Sequence, residues 1–308
     1  MINLLYCFDS NYNSMAFSSI ISILDTIDEK INIYIIHNKE NIIQDIPEYI
    51  QKHRNLNSVR TYKFNNETNA FPNVETSHVS EATYYRLFLE DYIDENPGYL
   101  IYLDADVICL KNPIKYFKTK INEMEKNNKA IAVMKHPEVP DFDTRAVQLG
   151  INSGKYFNAG VMFINFSEWK KISIKSKSEK IIKEKSEDLI LWDQDVLNII
   201  FDGNFEDLDP LFNYRMNLLN FTKEESDIIK QEVYLIHYYG KSKPWSVRGI
   251  NFGVSEYYQS QYRKFNKERY HIVHNWKRGS IVYIFESIFK GKIFKIKYPF
   301  SFLYESIK

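Results

Sequence analysis

The chain predicts an α/β fold built on a mainly parallel sheet, and three observations predict it. Short runs of β-branched, leucine and aromatic residues recur along the 308 residues, among them 2–8, 31–37 and 99–110. Segments with helical spacing of apolar residues stand between these runs, so strand and helix alternate. Most of the runs hold few polar residues, as strands covered on both faces do.

Taken in order, residues 2–8 read as a first buried strand. The polar turn Asp9-Ser10-Asn11-Tyr12-Asn13 then leads into a helix, MAFSSIISILDTI. INIYIIH is the second strand, followed by a helix over 46–53 and a strand over 58–64. After a loop rich in Asn, Thr and Pro, SEATYYRLFLEDYI places Tyr84, Leu87, Phe88 and Ile93 at rough helical spacing. YLIYLDADVICL, residues 99–110, reads as one strand carrying two aspartates. Beyond it come KNPIKYF, a strand over 130–134, a long loop, and YFNAGVMFINFSEW, a strand running into a helix start. SEDLILWDQDVLNIIF resembles a helix entered from an acidic turn, and EVYLIHYYG is a late strand ending on Gly240. No internal repeat or Gly/Ser linker interrupts this order, so residues 1–260 are expected to form one body and 261–308 an extension.

Composition narrows the function classes. With 44% hydrophobic residues the chain can supply a real core, and 40 basic against 40 acidic residues argue against a nucleic-acid partner. The balance is uneven along the chain: residues 263–308 hold 11 Lys/Arg against 3 Asp/Glu, which leaves +8. The same stretch carries Trp276, Tyr283, Phe285, Phe289, Phe294, Tyr298, Phe300 and Phe302, a mixture suited to the interface of an anionic membrane. Packing of these aromatics on the body is the alternative. Cys7 and Cys109 lie in apolar runs and read as small core residues, which fits a reducing compartment. Asp9 cuts the first apolar stretch too early for a secretory signal, and no segment reaches the roughly 18 apolar residues of a membrane span. A cytoplasmic protein, peripheral on the inner face of the membrane, is expected.

The chemistry gathers at the predicted strand ends, where open α/β sheets bind ligands. Asp104 and Asp106, separated only by Ala105, would project from one side of an extended strand and repel unless a cation compensates. Two carboxylates with the late imidazole of His237 make an oxygen-rich site with one nitrogen, suited to Mn²⁺ and less well to Mg²⁺. Gly240 and Lys243 in HYYGKSKPW offer accessible N–H groups and a point cation of the kind a diphosphate needs. Each residue also has a plain structural reading: a solvated D-x-D turn, Arg86 paired with Glu90 one helical turn on, Asn158 as a satisfied buried amide. A strand ending in D-x-D also suits a haloacid-dehalogenase-type phosphatase, and a silent sugar-nucleotide-binding protein is a further alternative.

The series FDSNY, SEATYYRLFL, YLIYLDADV, YFNAGVMFIN, WDQDVLN and HYYGKSKPW resembles glycosyltransferase family 8, retaining enzymes of the GT-A fold that include bacterial lipooligosaccharide galactosyltransferases. The resemblance covers about residues 2–245. It implies a UDP-hexose donor, galactose or glucose, and a saccharide or glycolipid acceptor in cell-surface glycan synthesis. It also implies that Asp104, Asp106 and His237 bind Mn²⁺ and that Asp9, Asn11 and Tyr12 hold the uridine, with Ala105 beside the nucleotide. Gly240 and Lys243 would then hold the diphosphate, and Arg86, Asn158, Asp193 and Gln194 would surround the donor sugar. Retention points to Asp193 or Gln194 as the catalytic group, with Gln194 favoured as an electrostatic helper of same-face attack. Two departures stand out: Lys135-His136-Pro137 replaces an acidic position expected to face the acceptor, and Tyr239 replaces a smaller residue.

Overall fold

A computed structural model describes residues 1–65, 71, 80–136, 140–273 and 278–308. Pro137 and Trp276 lie outside the described residues, as does most of the Asn- and Pro-rich loop.

The strands are β1 (Asn3–Phe8), β2 (Ile31–His37), β3 (Leu56–Lys63), β4 (Tyr99–Leu103), β5 (Val107–Cys109), β6 (Ile131–Lys135), β7 (Phe157–Asn165), β8 (Glu206–Asp207), β9 (Tyr214–Met216) and β10 (Leu235–Tyr238). The helices are α1 (Asn13–Thr26), α2 (Glu48–Gln51), α3 (Ile114–Lys126), α4 (Pro140–Leu149), α5 (Phe166–Ile172), α6 (Ile174–Lys185), α7 (Trp192–Phe201), α8 (Lys223–Gln231), α9 (Glu256–Tyr262), α10 (Arg278–Phe289) and α11 (Pro299–Ile307). A seven-stranded sheet runs in the order β3-β2-β1-β4-β7-β6-β8. Its first four strands are parallel, and β7 runs antiparallel to both β4 and β6. The predicted α/β class with a mainly parallel sheet is therefore the observed one.

β1 shows why. All six of its residues are buried: Leu4, Tyr6 and Phe8 enter one core with α1 and α3, while Leu5 and Cys7 enter another with α5 and α7. Successive side chains of a strand point to opposite faces, so a strand between two helical layers must be apolar throughout. Both cysteines are free and buried, as expected of core residues.

Two expectations need correction. Residues 99–110 are not one strand: Asp104-Ala105-Asp106 form a turn closed by the Val107 N–H on the Asp104 carbonyl at 3.1 Å. The chain then leaves the large sheet, and β5 joins a separate three-stranded sheet in the order β5-β10-β9. The two carboxylates are neighbours through a turn rather than through extended backbone. Residues Glu81–Asp91 form 3-10 helix, not α-helix, with a kink at Phe88.

The extension both packs and protrudes. Ile284, Ile293 and Phe302 are buried with Tyr270, Ile272, Val247 and Ile250 in a small core of their own. Phe285, Phe289, Phe294 and Phe300 stay exposed, Phe289 at 90%.

Candidate active site

Chain direction brings the site together on one rim of the large sheet. β1 ends at Phe8 and β4 at Leu103, so Asp9 and Asp104 follow their carboxyl ends. β7 is antiparallel, so its amino end, with Asn158, reaches the same rim. The small sheet delivers Asp106, just before β5, and His237, within β10.

One ligand atom from each of Asp104, Asp106 and His237 lies within 4.8 Å of the other two. His237 Nε2 stands 3.3 Å from Asp106 Oδ1 and 3.7 Å from Asp104 Oδ2. Asp106 Oδ1 is buried without a hydrogen-bond partner, which is the kind of oxygen a cation satisfies. The donor set of two carboxylates and one imidazole suits a six-coordinate divalent ion, so the residues fit a metal. Burial opposes ionisation of Asp106, but the Lys243 ammonium at 2.6 Å outweighs it, joined by His237 when that ring is protonated, and holds the carboxyl well below the usual range. Lys243 also donates to the Tyr238 carbonyl at 2.5 Å, so its charge stands beside the metal-facing carboxylate.

Asp104 is oriented from behind. Tyr102 Oη donates to its Oδ1 at 2.6 Å, and Arg86 Nη1 reaches the same oxygen at 3.2 Å. Arg86 does not pair with Glu90; it is buried and binds Asp193, Asp104 and the Ala159 carbonyl. Burial works against its charge, yet the surrounding anionic groups, Asp193 first, raise its pKa well above the ordinary value. Thr83 Oγ1 holds the other Asp193 oxygen at 2.5 Å.

The first turn lies alongside. Asp9 accepts from the Asn11 N–H at 2.8 Å and so caps the turn. Burial and the charges of Asp106, Asp9 and Asp104 push the Tyr12 hydroxyl up to about 12, which reflects how near the turn stands to the aspartates. Tyr12 and Ala105 are both half-buried between the same two cores. Asn11 is exposed. Gly240 has φ +83, a conformation that glycine adopts without strain.

Gln194 lies in the first turn of α7, and its Oε1 accepts from Asn158 Nδ2 at 3.0 Å and from the Ala159 N–H at 3.1 Å. Asp195 is fully buried and held by Arg145, Tyr156 and the Leu191 N–H. Sequence reasoning missed Gly160, Asn213, Tyr156, Arg145, Asp195 and Thr83. A glycine inside a strand run does signal close approach of another group, and Gly160 carried that signal. Of the departures, Tyr239 lies under the Arg215 guanidinium at 4.2 Å, and Arg215 also reaches His136 Nδ1 at 2.9 Å.

A mixed α/β sheet with a carboxylate pair and an imidazole on its carboxyl rim is the framework of an α/β enzyme with a candidate metal site. The chain belongs to glycosyltransferase family 8: the family described as "Glycosyl transferase family 8" matches residues 3–249. It is therefore a glycosyltransferase, taking a sugar donor and an acceptor, and the phosphatase alternative falls. The chain is 27% identical to general stress protein A of Bacillus subtilis over 86% of its own length and 95% of that protein. It is 33% identical to a lipopolysaccharide 1,3-galactosyltransferase of Salmonella typhimurium over 59% of its length and 54% of that protein. Its fold matches a crystal structure of the galactosyltransferase LgtC with donor and acceptor sugar analogues, at TM-score 0.71 and 23% identity, over 91% of this chain and 100% of that one. The fold is thus GT-A. Among the described residues, no helix is long and apolar enough to cross a membrane.

Proposed function

We propose that the protein transfers a hexose, galactose or glucose, from a UDP-sugar to a saccharide acceptor with retention, in lipooligosaccharide or other cell-surface glycan synthesis. The observation that carries this reading is the Asp104, Asp106 and His237 group on the sheet rim. These three residues would hold Mn²⁺, or Mg²⁺ less well, and the ion would neutralise charge developing on the departing diphosphate. Asp9, Asn11 and Tyr12 take the uridine, Tyr12 offering its ring to the base and Ala105 closing the space beside it. Gly240 presents its N–H, and Lys243 its ammonium, to the diphosphate.

Arg86, Asn158, Asp193 and Gln194 form the sugar subsite. Asp193 has both oxygens occupied, by Arg86 and Thr83, and Asp195 is enclosed by Arg145 and Tyr156. Carboxylates held this way are weakened as nucleophiles, which supports same-face attack. Gln194, whose Oε1 is itself held by Asn158 and the Ala159 N–H, would act on positive charge at the sugar only through its amide dipole.

The division at residue 260 is functional in this reading: 1–260 catalyses and 261–308 attaches the enzyme to an anionic membrane where a glycolipid acceptor resides. Exposed Phe285, Phe289 and Phe300, interspersed with Lys290, Lys295 and Lys297, support it. The test is UDP-sugar hydrolysis and thermal shift with UDP-galactose and UDP-glucose in the presence of Mn²⁺. Turnover that needs both nucleotide sugar and Mn²⁺ is expected, and its absence overturns the reading.

A further inference from the structure

A single run of hydrogen bonds joins the metal-facing histidine to Gln194, and two backbone groups set its direction. The Ala159 N–H can only donate, so the Gln194 atom it meets at 3.1 Å is the carbonyl oxygen Oε1. Asn158 approaches that same oxygen at 3.0 Å and must present its NH₂. Its other end is then Oδ1, in agreement with the Gly160 N–H that donates to it at 3.1 Å. Asn213 meets Asn158 Oδ1 at 2.9 Å and must also present an NH₂, so its own Oδ1 faces His237 Nδ1 at 2.9 Å. An oxygen that only accepts requires the proton on Nδ1. In the neutral ring, the form that can bind a cation, Nε2 is then left with its lone pair turned toward Asp104 and Asp106.

The far side of Gln194 is held as firmly. Its Nε2 donates to Tyr156 Oη at 3.2 Å, and Tyr156 donates to Asp195 Oδ1 at 2.6 Å. Arg145 closes the series on Asp195. Asn213 is completely buried, a costly place for an amide unless all of its hydrogen bonds are used.

We propose that Asn213 is a positioning residue with two effects: it holds His237 as the Nδ1–H tautomer with Nε2 free for the cation, and through Asn158 it fixes the carbonyl of Gln194. The metal ligand and the sugar-facing amide are thereby set by one device, so that neither can turn without the other. The proposal rests on the reading of Asp104, Asp106 and His237 as a metal site. Groups that accept the second ring N–H of a metal-binding histidine fix its tautomer and raise its basicity, and their loss typically weakens metal binding about 10–100-fold.

The test begins with the full-length, metal-free protein labelled with ¹⁵N-histidine. The His237 signal, one of 7 histidines, is assigned by its absence in His237→Gln. Long-range ¹H–¹⁵N correlation should show Nδ1–H in the wild type and a loss of that preference in Asn213→Ala. Mn²⁺ affinity, measured by titration calorimetry, should fall about 10–100-fold in the variant. At saturating Mn²⁺, kcat for UDP-sugar hydrolysis should still drop at least tenfold while KM for the donor changes little. A wild-type Nε2–H tautomer overturns the proposal and needs no variant to fold. So does an Asn213→Ala protein with unchanged tautomer and Mn²⁺ affinity. An unchanged kcat at saturating Mn²⁺ overturns the link to Gln194. A wild type that binds no Mn²⁺ defeats the metal reading instead, and the tautomer measurement is then judged by itself.

Discussion

Gly160 lies so close to His237 that a Cβ on it would stand 2.2 Å from the imidazole Cε1 and 2.8 Å from Asp104 Oδ2. The glycine is the space in which imidazole and carboxylate approach each other. Gly160→Ala should therefore displace His237 or Asp104, lower Mn²⁺ affinity by more than tenfold and destabilise the fold by about 1–3 kcal/mol, the usual effect of overpacking. Calorimetric Mn²⁺ titration beside a thermal melt checks both, and wild-type affinity in the variant would contradict the geometry.

Asp106→Asn should remove most transferase activity while preserving the fold. Repulsion between two aspartates alone would make this substitution stabilising in the metal-free protein. The structure reverses that expectation, because the Lys243 ammonium at 2.6 Å already holds the Asp106 carboxylate charged. A lower melting temperature of the metal-free variant at neutral pH is the expected result, and a higher one would show that repulsion dominates.

His136 supplies a pH dependence. Burial, assisted by the charges of Arg215 and His237, lowers its pKa from 6.5 to about 3. Between those values the unfolded chain binds a proton that the folded one refuses, so stability rises with pH across this window and is lost as pH falls. This group contributes a slope of at most about 1.4 kcal/mol per pH unit. His136→Gln should flatten the acid limb of a stability-against-pH curve measured by urea unfolding, and an unchanged limb would assign it to other groups.

The proposed retention of configuration has a direct readout. Transfer should give an α-linked product, read by NMR of the first-formed anomer, whereas a β-linked product would contradict retention.

Membrane attachment is best tested without truncation. Deletion after Tyr270 would remove Ile272, Ile284, Ile293 and Phe302, which pack against Val247 and Ile250. Phe289→Ser with Phe300→Ser changes only exposed side chains. The double variant should leave anionic vesicles in a sedimentation assay yet retain UDP-sugar hydrolysis. The wild type should also dissociate as salt rises, because the Debye length is only about 8 Å at physiological ionic strength. An intact protein that never sediments with such vesicles refutes the attachment.

The large sheet was legible where its strands are buried on both faces and read as almost wholly apolar runs, β1 and β2 most clearly, and least so at its polar edge strand β3. The small sheet was not. β5 and β9 have three residues each, too few for any period to show. D-A-D is equally compatible with a strand and with the turn it forms, and only pairing of β5 with β10 separates the two. Among the site residues, those with distinctive chemistry were visible in the sequence. Those that orient them were hidden, since Asn213 lies 24 residues from His237 and 55 from Asn158. Arg145 likewise reaches Asp195 across 50 residues.

The turn at Asp104–Asp106 has a mechanical meaning. It is where the chain crosses between sheets, so Asp104 belongs to the large sheet while Asp106 and His237 belong to the small one. A cation gripped by all three would act as a rivet through the seam. Any free energy it gains on binding the closed arrangement is added to the cohesion of the two sheets, in proportion to RT ln(1 + [ion]/Kd). Occupancy of that ion site and docking of β10 against the rim of the large sheet would in that sense be a single equilibrium.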